Sequence, residues 1–213
     1  MKANRIGIVS VFIILFSVSC RSGEDMSAYF DEGRIENNTY ISDSTGWKMM
    51  IPEGWKPALK VKSEVENKAK EIYGNIGVSV SSLIWLLSIE KDKFNVFRFF
   101  YKVAISANND DLKDMVTIEH KLLPEMLLPP IEIITIRPIT KEIIDSIEFL
   151  TYSYECFLPP PINKKLYGIS YMGLVRNKYV GVSINYTNLE NRKEIMDAWF
   201  NSTFDKSKWK SIR

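Results

Sequence analysis

The chain has 213 residues, a formal net charge of +2, a single histidine and two cysteines. Charges of both signs are interspersed along it, which gives no support for nucleic-acid binding, since that calls for a clustered basic face. One histidine excludes a two-histidine metal site and leaves His120 as the sole base a Ser-His-Asp triad could use.

At the front, Lys2 and Arg5 precede Ile6 to Val18, an uncharged run rich in Ile, Val, Phe and Leu. The run suits the apolar core of a secretory signal and falls short of the about 20 apolar residues a membrane span needs. Gly23, Glu24 and Asp25 follow, not the basic residues that usually flank a retained anchor. With the small Ser19 before Cys20, the segment resembles a bacterial lipoprotein signal, in which the cysteine is diacylated and becomes the mature N-terminus. Ser17 stands where that pattern usually has Leu, Val or Ile. An ordinary secreted chain cleaved nearby, or an uncleaved anchor, is the alternative. Residues 1–19 therefore read as signal peptide, Cys20 as the lipid-attachment residue, and the polar stretch 20–39 as a flexible tether. Each buried acyl CH2 contributes about 0.8 kcal/mol, so several chains hold a protein on a bilayer stably. Without Lys2 and Arg5 the chain is formally neutral and of a size for one domain.

That domain is expected over 40–206, with 207–213 as a tail. Tyr40 to Trp55 reads as an opening hairpin around Ser42-Asp43-Ser44-Thr45-Gly46, stopped by Pro52 and Gly54. Residues 63–76 predict a helix, with Ser63 and Glu66 as a capping box and Val65, Ala69, Ile72, Tyr73 and Ile76 on one apolar face. Leu83 to Ile89 and Phe94 to Val103 predict a second hairpin turning at Lys91-Asp92-Lys93, with Phe97, Phe99 and Tyr101 facing one way and Arg98, Phe100 and Lys102 the other. A helix from Asp110 or Asp111 to about Leu123 follows, disturbed by Pro124, Pro129 and Pro130. Strands are expected at Ile131 to Ile136, Ile147 to Leu158, Lys165 to Val175 and Tyr179 to Tyr186. A last helix opens at a Thr187-Asn188-Leu189-Glu190 capping box, with Ile195, Met196, Trp199 and Phe200 as its buried stripe. Hairpin-linked strands with few helices predict an α+β fold, an antiparallel sheet with helices packed on it.

The stretch Gly46 to Lys56, a Gly–aromatic strand running into Ile-Pro-Glu-Gly-Trp, resembles the opening hairpin of the PsbP-like group, which shares its fold with the Mog family of Ran-binding proteins. Lys91 to Phe97 and Ser202 to Trp209 are similar to stretches in small bacterial lipoproteins of this kind. The resemblance spans about 40–206. It implies a central antiparallel β-sheet with helices on both faces and a binding or accessory role, and it carries no functional residue across.

Other motifs have plain readings. Asn108-Asn109-Asp110-Asp111 with Asp114 lacks the alternation, Gly and distal Glu of a calcium loop and reads as a helix cap. Cys156, in an apolar strand, reads as an inert core thiol, and no intrachain disulfide is expected. Trp47 and Trp55 read as core anchors. No metal or cofactor is expected. The proline-broken segment Leu122 to Ile139 has two readings: a helix end packed on the sheet, or an exposed apolar lip made by Leu123, Met126, Leu127 and Leu128 that docks a partner or an acyl chain.

The expectation is a membrane-anchored envelope lipoprotein, on the periplasmic face or cell surface, whose non-enzymatic domain binds another protein. A carrier of a small apolar ligand or lipid is the alternative, and it requires a cavity of at least about 300 Å³ near Leu127. A hydrolase is the third, and it requires an acidic pair in one cleft.

Overall fold

Alternation of side chains writes the longest strands. In the computed structural model, which describes residues 30, 32–58, 83–103, 107–126 and 131–207, Phe97, Phe99 and Tyr101 are buried on one side of their strand while Arg98, Phe100 and Lys102 stand on the other. The signal peptide, Cys20, the expected helix at 63–76, Leu127, Leu128 and all of the tail but Ser207 lie outside the described residues.

The described elements are β1 (Arg34–Glu36), β2 (Thr39–Ile41), β3 (Trp47–Met50), β4 (Lys56–Pro57), β5 (Leu83–Asp92), β6 (Asn95–Val103), α1 (Asn109–Met126), β7 (Glu132–Ile136), β8 (Thr140–Ile144), β9 (Ile147–Leu158), β10 (Lys164–Val175), β11 (Lys178–Tyr186), α2 (Leu189–Phe200) and β12 (Thr203–Phe204). They form an eight-stranded sheet ordered β4-β5-β6-β11-β10-β9-β7, with β8 also paired to β9, and a four-stranded sheet ordered β1-β2-β3-β12. Every described pair is antiparallel. The protein is thus α+β and antiparallel.

The larger core lies between the two sheets and α2. Trp47 and Trp199, both fully buried, meet Phe97, Phe99, Phe149, Tyr171 and Phe204 there. Edge-on contacts dominate, such as Trp47 to Phe99 at 4.1 Å and Phe149 to Trp199 at 5.3 Å, the geometry that ring quadrupoles favour. Trp55 is also buried, and its indole N–H donates to Glu194 Oε2 on α2 at 3.0 Å. Both tryptophans of the opening segment are therefore core residues.

Several boundaries differ from those predicted, each for a local reason. Part of the stretch read as tether is folded: Phe30 is buried in the core, and β1 pairs with β2 through Asn37-Asn38. Both asparagines take positive φ, 48° and 58°, as a two-residue hairpin turn of the right twist demands. The β5–β6 turn sits at Lys93-Phe94, because Asp92 Oδ1 accepts the N–H groups of Phe94 and Asn95 at 2.8 and 3.1 Å. α1 continues through Pro124, which falls in the final turn, where a missing N–H removes one hydrogen bond. β8 was not predicted; it turns back into β9 at Asp145-Ser146, again with positive φ. The cap of α2 is Asn188, not Thr187: its side chain accepts from Asn191 N–H at 2.8 Å. Phe200 is 46% exposed, since Trp199 takes the inward position beside it.

Candidate functional site

α1 starts at Asn108, whose Oδ1 accepts from Asp111 N–H at 2.8 Å while its own N–H donates to the Tyr179 hydroxyl on β11 at 3.1 Å. The Asn108–Asp111 cluster thus caps a helix and fastens it to the sheet. Among the described residues no group of three or more His, Cys, Asp or Glu converges to hold a metal.

From that start, Leu112, Val116 and Leu123 pack on Tyr152, Met172 and Tyr179. Their spacing of four and seven leaves one position of the same stripe between Val116 and Leu123, and Glu119 occupies it. A carboxylate in an apolar stripe needs partners, and it has two: the Tyr152 hydroxyl donates to Glu119 Oε1 at 3.0 Å and the Ser170 hydroxyl at 3.3 Å. Burial pushes the Glu119 carboxyl up, against the pull of those two bonds. Tyr152 is pushed up as well, first by burial and then by Glu119 beside it, so it stays a protonated donor.

Strand register extends this cluster into a row. Arg98 pairs with Ser183, Ser183 with Ser170, and Ser170 with Tyr152. The four side chains stand on β6, β11, β10 and β9, on the face opposite Phe97 and Trp199. Two rings lie flat beside the row and form its walls. On one side Phe100 covers Gly181, where a Cβ would come within 2.5 Å of the ring. On the other Tyr154 covers Gly168 and reaches Asn185 Oδ1 with its hydroxyl at 3.2 Å. Strands about 4.8 Å apart make the row roughly 14 Å long, and same-face neighbours along a strand stand about 7 Å away. The result is a polar trough with Arg98 at one end and Glu119 at the other.

The residues singled out in the sequence fall differently. Leu123 is buried against the sheet, so it belongs to the packed helix end and not to an exposed lip. The side chain of Met126, and Leu127 and Leu128 entirely, lie outside the described residues, as does Cys20. His120 sets Nε2 3.0 Å from the Arg137 carbonyl oxygen and meets the Tyr152 ring edge-on at 5.1 Å; among the described residues it is hydrogen-bonded to no hydroxyl. Cys156 is fully buried, and burial pushes its thiol up to about 11. A cavity of about 490 Å³ is lined by Phe30, Ile35, Ile51, Trp55 and Pro57, beside the small sheet. Among the described residues, the lip's Leu123 is not part of its lining. Among the described residues no helix is long and apolar enough to cross a membrane, which leaves strands unaddressed.

The trough itself went unnoticed in the sequence. Its one linear signal was Glu119 at a stripe position; Arg98, Ser170 and Ser183 are single polar residues in separate strands.

The chain matches no protein-family model and no curated protein. Among solved structures it is similar to cyanobacterial PsbP (CyanoP) from Synechocystis sp. PCC 6803, at 12% sequence identity and a TM-score of 0.46, over 87% of this chain and 94% of that one.

Proposed function

We propose that the protein is a lipid-anchored envelope protein whose domain, PsbP-like with helices on both faces of its main sheet, binds another protein and performs no chemistry. The observation that carries this reading is the N-terminal sequence: Lys2 and Arg5, the uncharged Ile6 to Val18, then Ser19-Cys20 before Gly23-Glu24-Asp25. The chemistry of the trough supports a binding role. Tyr152 and Tyr154 are kept protonated, and the Cys156 thiol is raised to about 11, far from a thiolate nucleophile. Glu119 accepts from the Tyr152 and Ser170 hydroxyls, which fix its carboxyl in place. Met50, Ile143, Leu189 and Phe200 are large apolar side chains left open to solvent, available to a partner.

Intact-mass measurement on the membrane fraction tests the anchor. The native chain is expected to start at an acylated Cys20, and a Cys20→Ser chain to leave the membrane. An unmodified native N-terminus would sink the proposal. Crosslinking in the intact envelope, compared with an Ile143→Ser/Phe200→Ser chain, then tests the binding role; the double substitution is expected to lose the crosslinked species.

A further inference from the structure

The cavity beside the small sheet is walled by Phe30, Ile35, Ile51, Trp55 and Pro57, and its volume of about 490 Å³ lies in the range of small-ligand sites. The polar side chains of its described lining are already engaged. Arg34 donates to Glu36 and Asp43, Asn38 Nδ2 to the Ile51 carbonyl oxygen at 2.6 Å, and the Trp55 indole to Glu194 at 3.0 Å. What is left for an occupant is hydrocarbon and ring surface, a lining that holds water poorly. Arg34 and Asn38 are exposed, so the cavity meets solvent on the side of β1 and its turn. The chain itself brings hydrocarbon to this place. Phe30, one of the walls, is the first described residue, and Cys20 stands ten residues before it. Ten residues span at most about 36 Å, and a covalent link that short raises the effective concentration of a group on Cys20 to the order of millimolar.

We infer that the cavity receives an acyl chain carried on Cys20 of the same molecule while the protein is away from a bilayer. This rests on the lipid-anchor reading above and gives the anchor a second place to lie. Leaving water is favourable for hydrocarbon in either place. A bilayer covers every methylene of every chain, whereas the cavity covers part of one, so the bilayer takes the chain wherever it is present. The cavity is thus a shelter for transit through water, placed at the root of the tether it serves.

The test uses the full chain from cells fed a fatty acid bearing a diazirine, which enters the acyl groups of Cys20. It is irradiated in phospholipid vesicles and again at nanomolar concentration in detergent-free buffer, and the crosslinked peptides are read by mass spectrometry. In buffer the label is expected on the peptides that hold Phe30, Ile51 and Trp55, several-fold more than in vesicles. Label spread over the domain surface, or equal in the two media, overturns the inference. The second arm titrates dodecanoate into the full Cys20→Ser chain, read by calorimetry. Saturable binding is expected, several-fold weaker to the acylated native chain, whose own acyl group competes. Ile51→Trp, which fills the space, and the milder Ile35→Ser, which pares its wall, are each expected to weaken dodecanoate several-fold in the Cys20→Ser background. The inference is overturned if the Cys20→Ser chain shows no saturable binding, or if the acylated chain binds dodecanoate equally well. It is overturned equally if a folded Ile35→Ser chain binds dodecanoate as its parent does. An unacylated native mass removes the anchor reading and this inference together, whereas an acylated chain that fails these tests removes the inference alone.

Discussion

The ring of Tyr154 lies across Gly168 so closely that a Cβ there would stand 2.0 Å from Tyr154 Cζ. The glycine is what lets the tyrosine cross β10 and reach Asn185 on β11 at 3.2 Å. Gly168→Ala must therefore lift the ring or bend the strand, at an expected cost of about 1–3 kcal/mol in urea unfolding. Tyr154→Phe, which keeps the ring and removes only the hydroxyl, should cost about 1 kcal/mol. Combined with Tyr154→Ala, the Gly168→Ala change should lose much of its effect, a coupling of at least about 0.5 kcal/mol. Simple additivity would mean that the close approach does not limit the site.

Glu194 ties three segments together, since its carboxylate accepts from Lys91 Nζ at 2.8 Å and from the Trp55 indole at 3.0 Å. Those bonds, Lys91 first, hold its acidity below the usual carboxylate range. A depressed carboxyl stabilises the fold above its unfolded value of about 4.3, and that contribution is lost as the pH falls through its lower folded value. Glu194→Gln should cost up to about 1 kcal/mol at pH 7. The gap between variant and native chain should close as the pH drops below about 4 in denaturant titrations.

Trp199 contacts Trp47, Phe97, Phe99, Phe149 and Tyr171 within 6.3 Å of ring centroids. Its replacement by alanine empties the centre of that cluster, and rigid rings on both sheets cannot collapse into the space. The expected loss is about 3–5 kcal/mol, read from the urea midpoint. A loss under about 1 kcal/mol would mean that the two sheets do not share this core.

Cys156 provides a probe of the same interior. In a Cys20→Ser chain it is the sole thiol. Fully buried and raised to about 11, it should resist thiol reagents at pH 8 for as long as the domain stays folded, and react at once in urea. Because its neutral form is the one the fold prefers, stability should decline as the pH rises above the unfolded thiol value of about 8.5.

The long strands and α2 were legible because their signals are local: alternation in Phe97–Tyr101, a tight turn at Arg176-Asn177, a stripe through Ile195 and Trp199. β1 was not, since its two signals, Asn37-Asn38 and Phe30, lie in a polar stretch and gain meaning only against β2 and the core. The cap of α2 missed by one residue because Thr187 and Asn188 are both good caps. The sequence cannot say that Asn95 occupies Thr187, accepting its N–H at 3.0 Å. The trough was hidden for a stronger reason. Arg98, Glu119, Tyr152, Ser170 and Ser183 come from five elements, and only strand register lines them up. In a linear reading each is one polar residue among apolar ones, which is the ordinary look of a strand's second face.

The hairpin at the N-terminal edge also sets how the domain bears a load. β1 is an edge strand joined to its sheet by three register pairs with β2, and Phe30 plugs into the core just before it. Among the described residues, a pull arriving along the chain from the N-terminal side meets these first. It draws one ring from its socket and opens three pairs before any strand of the eight-stranded sheet is stressed. The small sheet thus acts as a fuse, yielding at low force and leaving the trough intact behind it.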